Sequence, residues 1–306
     1  MPQRGSVKTT YVNIAAKLPQ GLVDLYADIS GHTKVLDIDY LVVGAMARDL
    51  ILVHGFGSKI ERGTRDVDFA INIASWDEFN ALKNRLLMAD YHADKHRAHR
   101  LYYTGGADHE WEIDIVPFGD IADEDSHISW PPKQHTVMNV RGFSEAFANA
   151  LEVQISEEPE IIIPVASPAG ICLLKLVAWL DRDLDLRRKD ASDFVYLIET
   201  YSKIPEIFDA LYEKDYMETQ GWDETKASAM KLGSDVSEIA SPDTKTFLEA
   251  ALFNNDVKTE QFVREMKNNT HKSLEQCEGL FNIFMGAFLS MRAIKKYLPE
   301  TPTVLR

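Results

Sequence analysis

The sequence predicts an α+β fold in which a mixed sheet with helices is followed by an all-helical C-terminal domain. The first half of the chain alternates short β-type and helical patterns, whereas the pattern after Ser167 is almost wholly helical. The chain has 306 residues, of which 45% are hydrophobic, so it can bury a large core. We therefore expect two domains, at residues 1–166 and 167–306.

Three segments of the first half read as the strands of this sheet. "DYLVVGAM" is a β-type run that enters a turn of small residues, and "ARDLILVHGFG" after it reads as a helix that ends at glycines. "RDVDFAINI" is the second strand, and "EWEIDIVPF", with its strict alternation, is the third. Strand, helix, strand, helix, strand is the order of a core built on one sheet.

Two helix beginnings carry capping signals. "SWDEFNALKNRLLMADY" starts at Ser75 and has Glu78 at the capping-box position, which predicts a helix between the second and third strands. Ser167 followed by Pro168 supplies an N-cap and a first helical residue. The second signal marks the boundary of the helical domain.

The sequence also predicts a cytoplasmic protein. No apolar run approaches the 18 or more residues of a membrane span, and "MPQRGSVKTTYV" lacks the apolar stretch of a signal peptide. Cys172 and Cys277 lie in apolar helical contexts without the paired spacing of a zinc site or disulfide framework, so we expect both to be core residues.

Carboxylates interrupt the second and third strands at alternate positions. In an extended chain, side chains at i and i+2 leave the same face, so Asp66 and Asp68 project together, as do Glu112 and Asp114. One interpretation is that the first pair caps a turn or faces solvent. The other is that Asp66, Asp68 and Asp114 hold two Mg²⁺ ions, which prefer oxygen ligands and neutralise repulsion between close carboxylates.

A turn of small residues precedes these strands. Gly44 and Ala45 in "VVGAMARD" stand between a predicted strand and a predicted helix. Small residues there let backbone N–H groups approach a triphosphate, and the helix N-terminus favours its negative charge. The alternative is that the turn serves packing alone.

The order of these motifs resembles the nucleotidyltransferase superfamily typified by DNA polymerase β, and within it most closely the AbiEii toxin family. An Arg-x-Thr/Ser-x-Asp-x-Asp motif of that family is matched by Arg62, Thr64, Asp66 and Asp68, and a later strand aspartate is matched by Asp114. The resemblance covers roughly residues 38 to 200 and implies a nucleotidyltransferase-fold sheet.

A second block, "KLVAWLDRDLDLRRKDASDF", resembles the Lys, Arg and Lys-Asp-x-x-Asp motif of the same family, matched by Lys175, Arg182, Lys189, Asp190 and Asp193. Lys175 and Arg182 are seven residues apart, close to two helical turns, so they can share a helix face and clamp a triphosphate. The alternatives are a solvated charged helix and a charge pair at a helix start, with Asp190 and Asp193 near the positive end of the helix dipole.

The resemblance implies a nucleotidyltransferase that uses an NTP and Mg²⁺. It implies catalytic and metal-binding roles for Asp66, Asp68 and Asp114. It implies nucleotide binding by a larger set: Gly44, Ala45, Arg62, Thr64, Lys175, Arg182, Lys189 and Asp190. Ala45 departs from the usual Gly or Ser of the motif and removes a hydroxyl contact to phosphate.

The acceptor is left open by the sequence. The resemblance implies an RNA, in particular a tRNA end, in a toxin that is paired with an antitoxin protein. A formal net charge of −15 instead favours a cationic small molecule such as an aminoglycoside, or a protein hydroxyl. A nucleotide-binding module without catalysis is a third hypothesis, for which Ala45 is the one hint.

The segment "HADKHRAHRL" offers two further hypotheses. His96 and His99 can share a helix face as metal ligands, but no nearby Cys or Glu completes a zinc set, so a structural or surface role is favoured. Lys95, Arg97 and Arg100 make this segment the densest basic patch of the chain, and an RNA backbone can bind there.

Overall fold

A computed structural model describes residues 11–60, 63, 66–106, 110–132 and 136–297. The chain divides into two compact units after Asp193. Each unit has its own buried core, and within the described residues no helix is long and apolar enough to cross a membrane.

The first unit is built on a mixed eight-stranded sheet. Its strands and a separate two-stranded pair are β1 Tyr11–Asn13, β2 Asp39–Val43, β3 Asp66–Asn72, β4 Tyr91–Ala93, β5 Arg100–Tyr103, β6 Trp111–Phe118, β7 His127–Ser129, β8 Val137–Asn139, β9 Ala150–Glu157 and β10 Glu160–Ala166. The order in the large sheet is β1-β9-β10-β2-β3-β6-β5-β4, and β7 pairs with β8. The pairs β1–β9, β10–β2 and β3–β6 are parallel, and the other pairs of this sheet are antiparallel.

The helices of the first unit connect and cover these strands. They are α1 Gln20–Val35, α2 Gly44–Arg48, α3 Trp76–Leu87, α4 Phe143–Ala148, α5 Pro168–Asp181 and the start of α6 Leu184–Thr200. A π-helical segment, Asp49–Gly55, continues directly from α2. As predicted, Ser75 accepts a hydrogen bond from the backbone N–H of Glu78, and Ser167 caps α5 with Pro168 at its first position.

The centre of the sheet buries the apolar face that the alternation predicts. Val67 and Phe69 on β3 and Ile113 and Ile115 on β6 are at most 3% exposed. The carboxylates of the same strands are therefore on the opposite face, because side chains alternate along a strand. Hydrophobic burial at these positions fixes which face carries the acids.

The α+β class and the three predicted strands are confirmed, and the helical pattern after Ser167 is present as α5 to α12. The compact units divide within α6 rather than at Ser167, and α5 packs on α2, α4, β8 and β10 of the first unit. A domain boundary at residues 166/167 stays a prediction. The strands β1, β4, β5, β7 and β8 were not predicted, because three or four residues carry too little periodicity. The longer β9 and β10 were missed as well.

The second unit is helical. After the end of α6 it contains a 3₁₀ turn Tyr201–Lys203, α7 Pro205–Glu213, α8 Tyr216–Thr219, α9 Glu224–Ile239, α10 Pro242–Leu248, a π-helical segment Glu249–Phe253, α11 Asp256–Met266, a 3₁₀ turn Lys267–Asn269 and α12 Leu274–Tyr297. Phenylalanine rings form its core: Phe194, Phe253, Phe262, Phe281, Phe284 and Phe288. The backbones of α9 and α12 approach so closely that a Cβ on Gly233 would lie 2.3 Å from the carbonyl oxygen of Phe284.

The two cysteines are buried and free, as expected of core residues. Burial raises the pKa of both thiols, most strongly that of Cys172. Neither thiol is therefore poised as a nucleophile, because the thiolate is the reactive form.

Candidate active site

The parallel register of β3 and β6 brings the predicted carboxylates together. Asp66 pairs with Glu112 and Asp68 with Asp114 across the two strands. One oxygen from each of Asp66, Asp68 and Asp114 lies within 4.8 Å of the others. Among the described residues, this is the one group of three or more His, Cys, Asp or Glu side chains close enough to share a metal ion.

Gly44 is required by a close approach to Asp68. Val43, the last residue of β2, pairs with Asp68, and the chain then turns at Gly44 with a φ of +73°. A Cβ on Gly44 would lie 2.0 Å from Oδ2 of Asp68 and 2.8 Å from its Cγ. The backbone of the turn thus lies directly against the carboxylate, while Ala45 next to it is 9% exposed. Nucleotide binding by either residue stays a prediction.

We expect Gly44→Ala to lower nucleotidyl transfer at least about tenfold and to destabilise the protein by about 1–3 kcal/mol, because the new methyl group displaces Asp68. The matched control is Gly57→Ala. Gly57 has a φ of +71°, but a Cβ added to it would have no atom within 4 Å, so it reports the backbone strain alone. Equal activities of the two variants, measured with the same NTP, would contradict the steric argument.

The carboxylate cluster perturbs Asp68 most. Burial is the main cause that raises its pKa from 3.8 to about 7, and the charges of Asp66 and Asp114 add to it. Lys175 and Arg182 counteract this rise. The two sequence motifs therefore meet in the structure, because cations of the second motif act electrostatically on a carboxylate of the first.

A buried network holds Lys175 and Arg182. The Nζ of Lys175 lies 2.9 Å from Oδ1 of Asp190 and 2.7 Å from Oδ2 of Asp193. Nη1 of Arg182 donates to both oxygens of Asp190 at 3.0 Å each. Burial alone would lower the pKa of Lys175, but the two aspartates outweigh it and raise that pKa. The ammonium is therefore charged, and Asp190, which is fully buried, joins both cations.

Arg48 extends this network and was missed by the sequence reasoning. It is 1% exposed, donates from Nε and Nη2 to Oδ1 of Asp49 at 2.9 and 2.7 Å, and pairs through Nη1 with Asp193. The signal was present as an Arg-Asp pair inside the apolar run "MARDLILV". A charged pair in a buried helical segment indicates an internal ion pair, because unpaired charges are costly to bury.

Two geometric predictions for the second motif are wrong. Arg182 does not share a helix face with Lys175, because α5 ends at Asp181 and Arg182 follows in an extended conformation. Asp190 is not at a helix start, because α6 begins at Leu184. The two cations meet at Asp190 because α6 follows α5 after a two-residue connection. Lys189 is exposed, and its role stays a prediction.

Arg62 and Thr64, the remaining members of the predicted nucleotide-binding set, lie outside the described residues. Gly63 between them is described and exposed. Their participation in the site is therefore carried by the motif alone.

Arg100 was predicted to belong to a basic surface patch, but the structure places it elsewhere. It lies on β5 opposite Asp114, and its side chain is 11% exposed. Nε and Nη2 donate to the two oxygens of Asp114, each at 2.7 Å, and Nη1 donates to Glu112 at 2.6 Å. The predicted basic patch is therefore smaller than expected: Lys95 and Arg97 are exposed, but Arg100 is held inside the carboxylate cluster.

The less favoured alternative for this segment, two histidines on one helix face as metal ligands, is also wrong. His96 and His99 lie in the connection between β4 and β5 and not on a helix. His99 packs against Trp130, with 5.5 Å between ring centroids, and its Nε2 is 4.0 Å from Oδ1 of Asp114. Burial lowers the pKa of His99, so Arg100 and not His99 is the cation at Asp114.

Three clustered carboxylates lie beside a glycine turn, and a lysine and an arginine act on one of them, Asp68. This arrangement fits a nucleotidyltransferase, and the family match shows that the chain is one. The family described as "Nucleotidyl transferase AbiEii toxin, Type IV TA system" matches residues 35–276. The chain belongs to the AbiEii family.

Similar solved structures include the antibiotic-resistance factor ANT(2'')-Ia, at 12% identity and a TM-score of 0.31 over 67% of this chain and 97% of that one. The Thermotoga maritima CCA-adding enzyme complexed with tRNA is 13% identical, with a TM-score of 0.25 over 94% of this chain and 86% of that one. A tRNA-processing enzyme is 13% identical, with a TM-score of 0.23 over 94% and 83%. No curated protein matches the chain. The family assignment rests on the match to residues 35–276.

Proposed function

We propose that this nucleotidyltransferase moves a nucleoside monophosphate from an NTP to an acceptor hydroxyl in a Mg²⁺-dependent reaction. The acceptor oxygen bonds to the α-phosphorus, the bond from that phosphorus to the β-phosphate oxygen breaks, and pyrophosphate leaves. The observation that carries this proposal is the cluster of Asp66, Asp68 and Asp114.

The residues present fit a divalent cation. Three carboxylates offer oxygens within 4.8 Å of one another, and hard cations prefer such ligands. The raised pKa of Asp68 supports the same conclusion, because it shows that the local cations do not offset burial and the neighbouring charges. Mg²⁺ bound by these three aspartates would supply positive charge for the oxygens that attack and leave the phosphorus.

The chain's own groups bind and orient the reactants. Lys175 is held charged by Asp190 and Asp193, and together with the half-exposed Arg182 it neutralises the triphosphate. Asp114 completes the site for the metal, which would lower the pKa of the acceptor hydroxyl. The turn at Gly44 brings backbone against Asp68, and its N–H groups contact the phosphates in this proposal. Arg62, Thr64 and Lys189 complete the nucleotide contacts in this proposal.

We expect Arg182→Ala to weaken NTP binding by about 1.5–3 kcal/mol, which is the scale of a charge-assisted hydrogen bond. The side chain of Arg182 is 47% exposed, so it can contact a ligand while Nη1 stays on Asp190. Titration calorimetry with a non-hydrolysable NTP and Mg²⁺ measures the change. Arg188→Ala, an exposed arginine of α6, is the charge-matched control. An unchanged affinity in Arg182→Ala would remove this residue from the nucleotide site.

For the acceptor we propose RNA, in particular a tRNA end, with the chain acting as the toxin of a pair whose antitoxin restrains it. The family description supports the toxin role and implies the antitoxin. The direct test incubates the protein with each labelled NTP, Mg²⁺ and total bacterial RNA. Label in RNA that is lost with Asp68→Asn supports the proposal. Growth arrest on expression, relieved by the same substitution, tests the toxic role.

A second candidate acceptor is a cationic small molecule or a protein hydroxyl. The specific observation that favours it is the loss of Arg100 from the basic patch, in a chain of net charge −15. Label transferred to an aminoglycoside or to protein, with RNA unlabelled, selects this candidate. NTP binding without transfer to any acceptor selects the silent nucleotide-binding module, for which Ala45 remains the hint.

A further inference from the structure

Asp114, one of the three clustered carboxylates, is already paired with a cationic side chain. The guanidinium of Arg100 donates to both oxygens of Asp114 at 2.7 Å, and its Nη2 is also 3.7 Å from Oδ2 of Asp66. The planar guanidinium thus lies between Asp114 and Asp66, two of the three candidate metal ligands. A bidentate pair of this kind is the strongest geometry that a guanidinium makes with a carboxylate.

The cluster is therefore electrostatically asymmetric. Asp114 is 14% exposed and has a full cationic partner, whereas the cations that act on Asp68 are Lys175 and Arg182. Both oxygens of Asp114 accept hydrogen bonds from Arg100, and a divalent cation close to the guanidinium would be repelled by it. Asp66 and Asp68 have no comparable fork among the described residues, so they are the accessible ligands.

We propose that Arg100 is an internal counter-ion that keeps Asp114 from ligating a metal in the nucleotide-free protein. This inference rests on the proposed metal site. In the nucleotide-free protein, a first divalent cation binds at Asp66 and Asp68, and Asp114 joins the site only when the guanidinium withdraws. Glu112 can keep the guanidinium paired after it leaves Asp114, because Nη1 already donates to Glu112, whose side chain is 40% exposed.

Glu112 also separates this role from that of a plain structural ion pair. It neighbours Asp114 along β6 but pairs across the sheet with Asp66, so Arg100 bridges two positions of one strand. A guanidinium with two acceptors can give up one of them to a competing cation at low cost, because it stays paired with the other. A structural pair would instead be equally necessary with and without metal.

The test titrates the full chain with Mn²⁺ alone, without nucleotide, and measures free Mn²⁺ by electron paramagnetic resonance. Arg100→Gln should bind Mn²⁺ at least about tenfold more tightly than the wild type, since a positive charge beside the metal is removed. Arg97→Gln is the control for net charge, because Arg97 is exposed in the same β4–β5 connection. The double variant Arg100→Gln, Asp114→Asn should lose the gain, because Asp114 is the ligand that was released.

A second readout is thermal stability. Without metal, Arg100→Gln should melt at a lower temperature than the wild type, because three carboxylates then repel without a counter-ion. Mn²⁺ should raise its melting temperature by more than that of the wild type, in proportion to the tighter binding. Equal responses to Mn²⁺ would overturn the counter-ion role even if the metal-free variant is destabilised.

The outcomes separate this inference from the proposed function. If the wild type binds Mn²⁺ and Asp68→Asn does not, but Arg100→Gln binds as the wild type does or more weakly, the metal site stands and the inference fails. If neither the wild type nor any variant binds Mn²⁺, both fail. Should the glutamine variant not fold, Arg100→Lys carries the test. Because lysine keeps the positive charge, it should leave Mn²⁺ affinity close to that of the wild type, and a gain of about tenfold or more in this variant would overturn the role of the charge.

Discussion

Asp68→Asn should abolish nucleotidyl transfer and at the same time stabilise the metal-free protein. The activity should fall about a thousandfold or more, because the neutral amide loses the charge interaction with the metal, which is worth several kcal/mol in the transition state. The stability should rise, because the amide removes a buried charge that is repelled by Asp66 and Asp114. A residue that served folding alone would show the opposite change in stability.

The pH dependence of stability follows from the same carboxylate. The pKa of Asp68 is about 7 in the folded protein and 3.8 in the unfolded reference, so its ionised form costs folding free energy. That cost is absent below about pH 4, grows as the pH rises towards 7 and is complete above it. We expect Asp68→Asn to raise the free energy of unfolding by about 1–3 kcal/mol at pH 8 and to change it little at pH 4.

The measurement is denaturant unfolding of both proteins with a chelator present, beside transfer assays with Mg²⁺. Asp39→Asn is the control, because Asp39 is an exposed acid at the far end of the adjacent strand β2. Retained transfer in Asp68→Asn would refute the metal-ligand role. An equal gain of stability in both variants would show that net charge, rather than this cluster, is responsible.

Asp190→Ala should have the largest effect on stability. Asp190 is fully buried and accepts hydrogen bonds from Lys175 and Arg182, so its loss leaves two cations without their shared partner. Breaking a buried ion pair by removing one member costs about 3–5 kcal/mol. Nucleotide affinity should fall as well, because the two cations lose the group that positions them.

Circular dichroism during urea unfolding gives the stability, and calorimetry with a non-hydrolysable NTP gives the affinity. Asp183→Asn, an exposed acid just before α6, is the control and should change neither. The double variant Asp190→Ala, Lys175→Met should recover part of the lost stability, because it removes one of the two buried cations that lose Asp190 as a partner. If Asp190→Ala is as stable as Asp183→Asn, the network contributes nothing to folding.

The acidic part of the site was predictable because its signal is local. Asp66 with Asp68, and Glu112 with Asp114, interrupt alternating patterns, and a period of two fixes their face without knowledge of any other strand. Gly44 was found by the same kind of reasoning at a strand end. The resemblance to a family then joined segments that are far apart in the chain.

The roles of Arg100 and the Arg48–Asp193 pair were not predictable in this way, because both depend on long-range pairing. The antiparallel register of β5 and β6 places Arg100 opposite Asp114, and no pattern within "HADKHRAHRL" encodes that register. Arg48 reaches Asp193 across 145 residues of sequence. The local sequence of "HADKHRAHRL" suggested a helix and a surface patch. In the structure this segment belongs to the β4–β5 hairpin, and Arg100 forms an internal ion pair.

The span of the Arg48–Asp193 pair also has a consequence during synthesis. A ribosome that adds about 5–20 residues per second makes Arg48 roughly 7–30 s before Asp193 emerges. Until then the nascent chain has β2, β3 and β6 but lacks Asp193, which pairs with both Arg48 and Lys175. Prematurely terminated products that end before Lys175 carry the acids of the site without Lys175 and Arg182. A cell translating this message would first meet a complete active site only after nearly two thirds of the chain had been made.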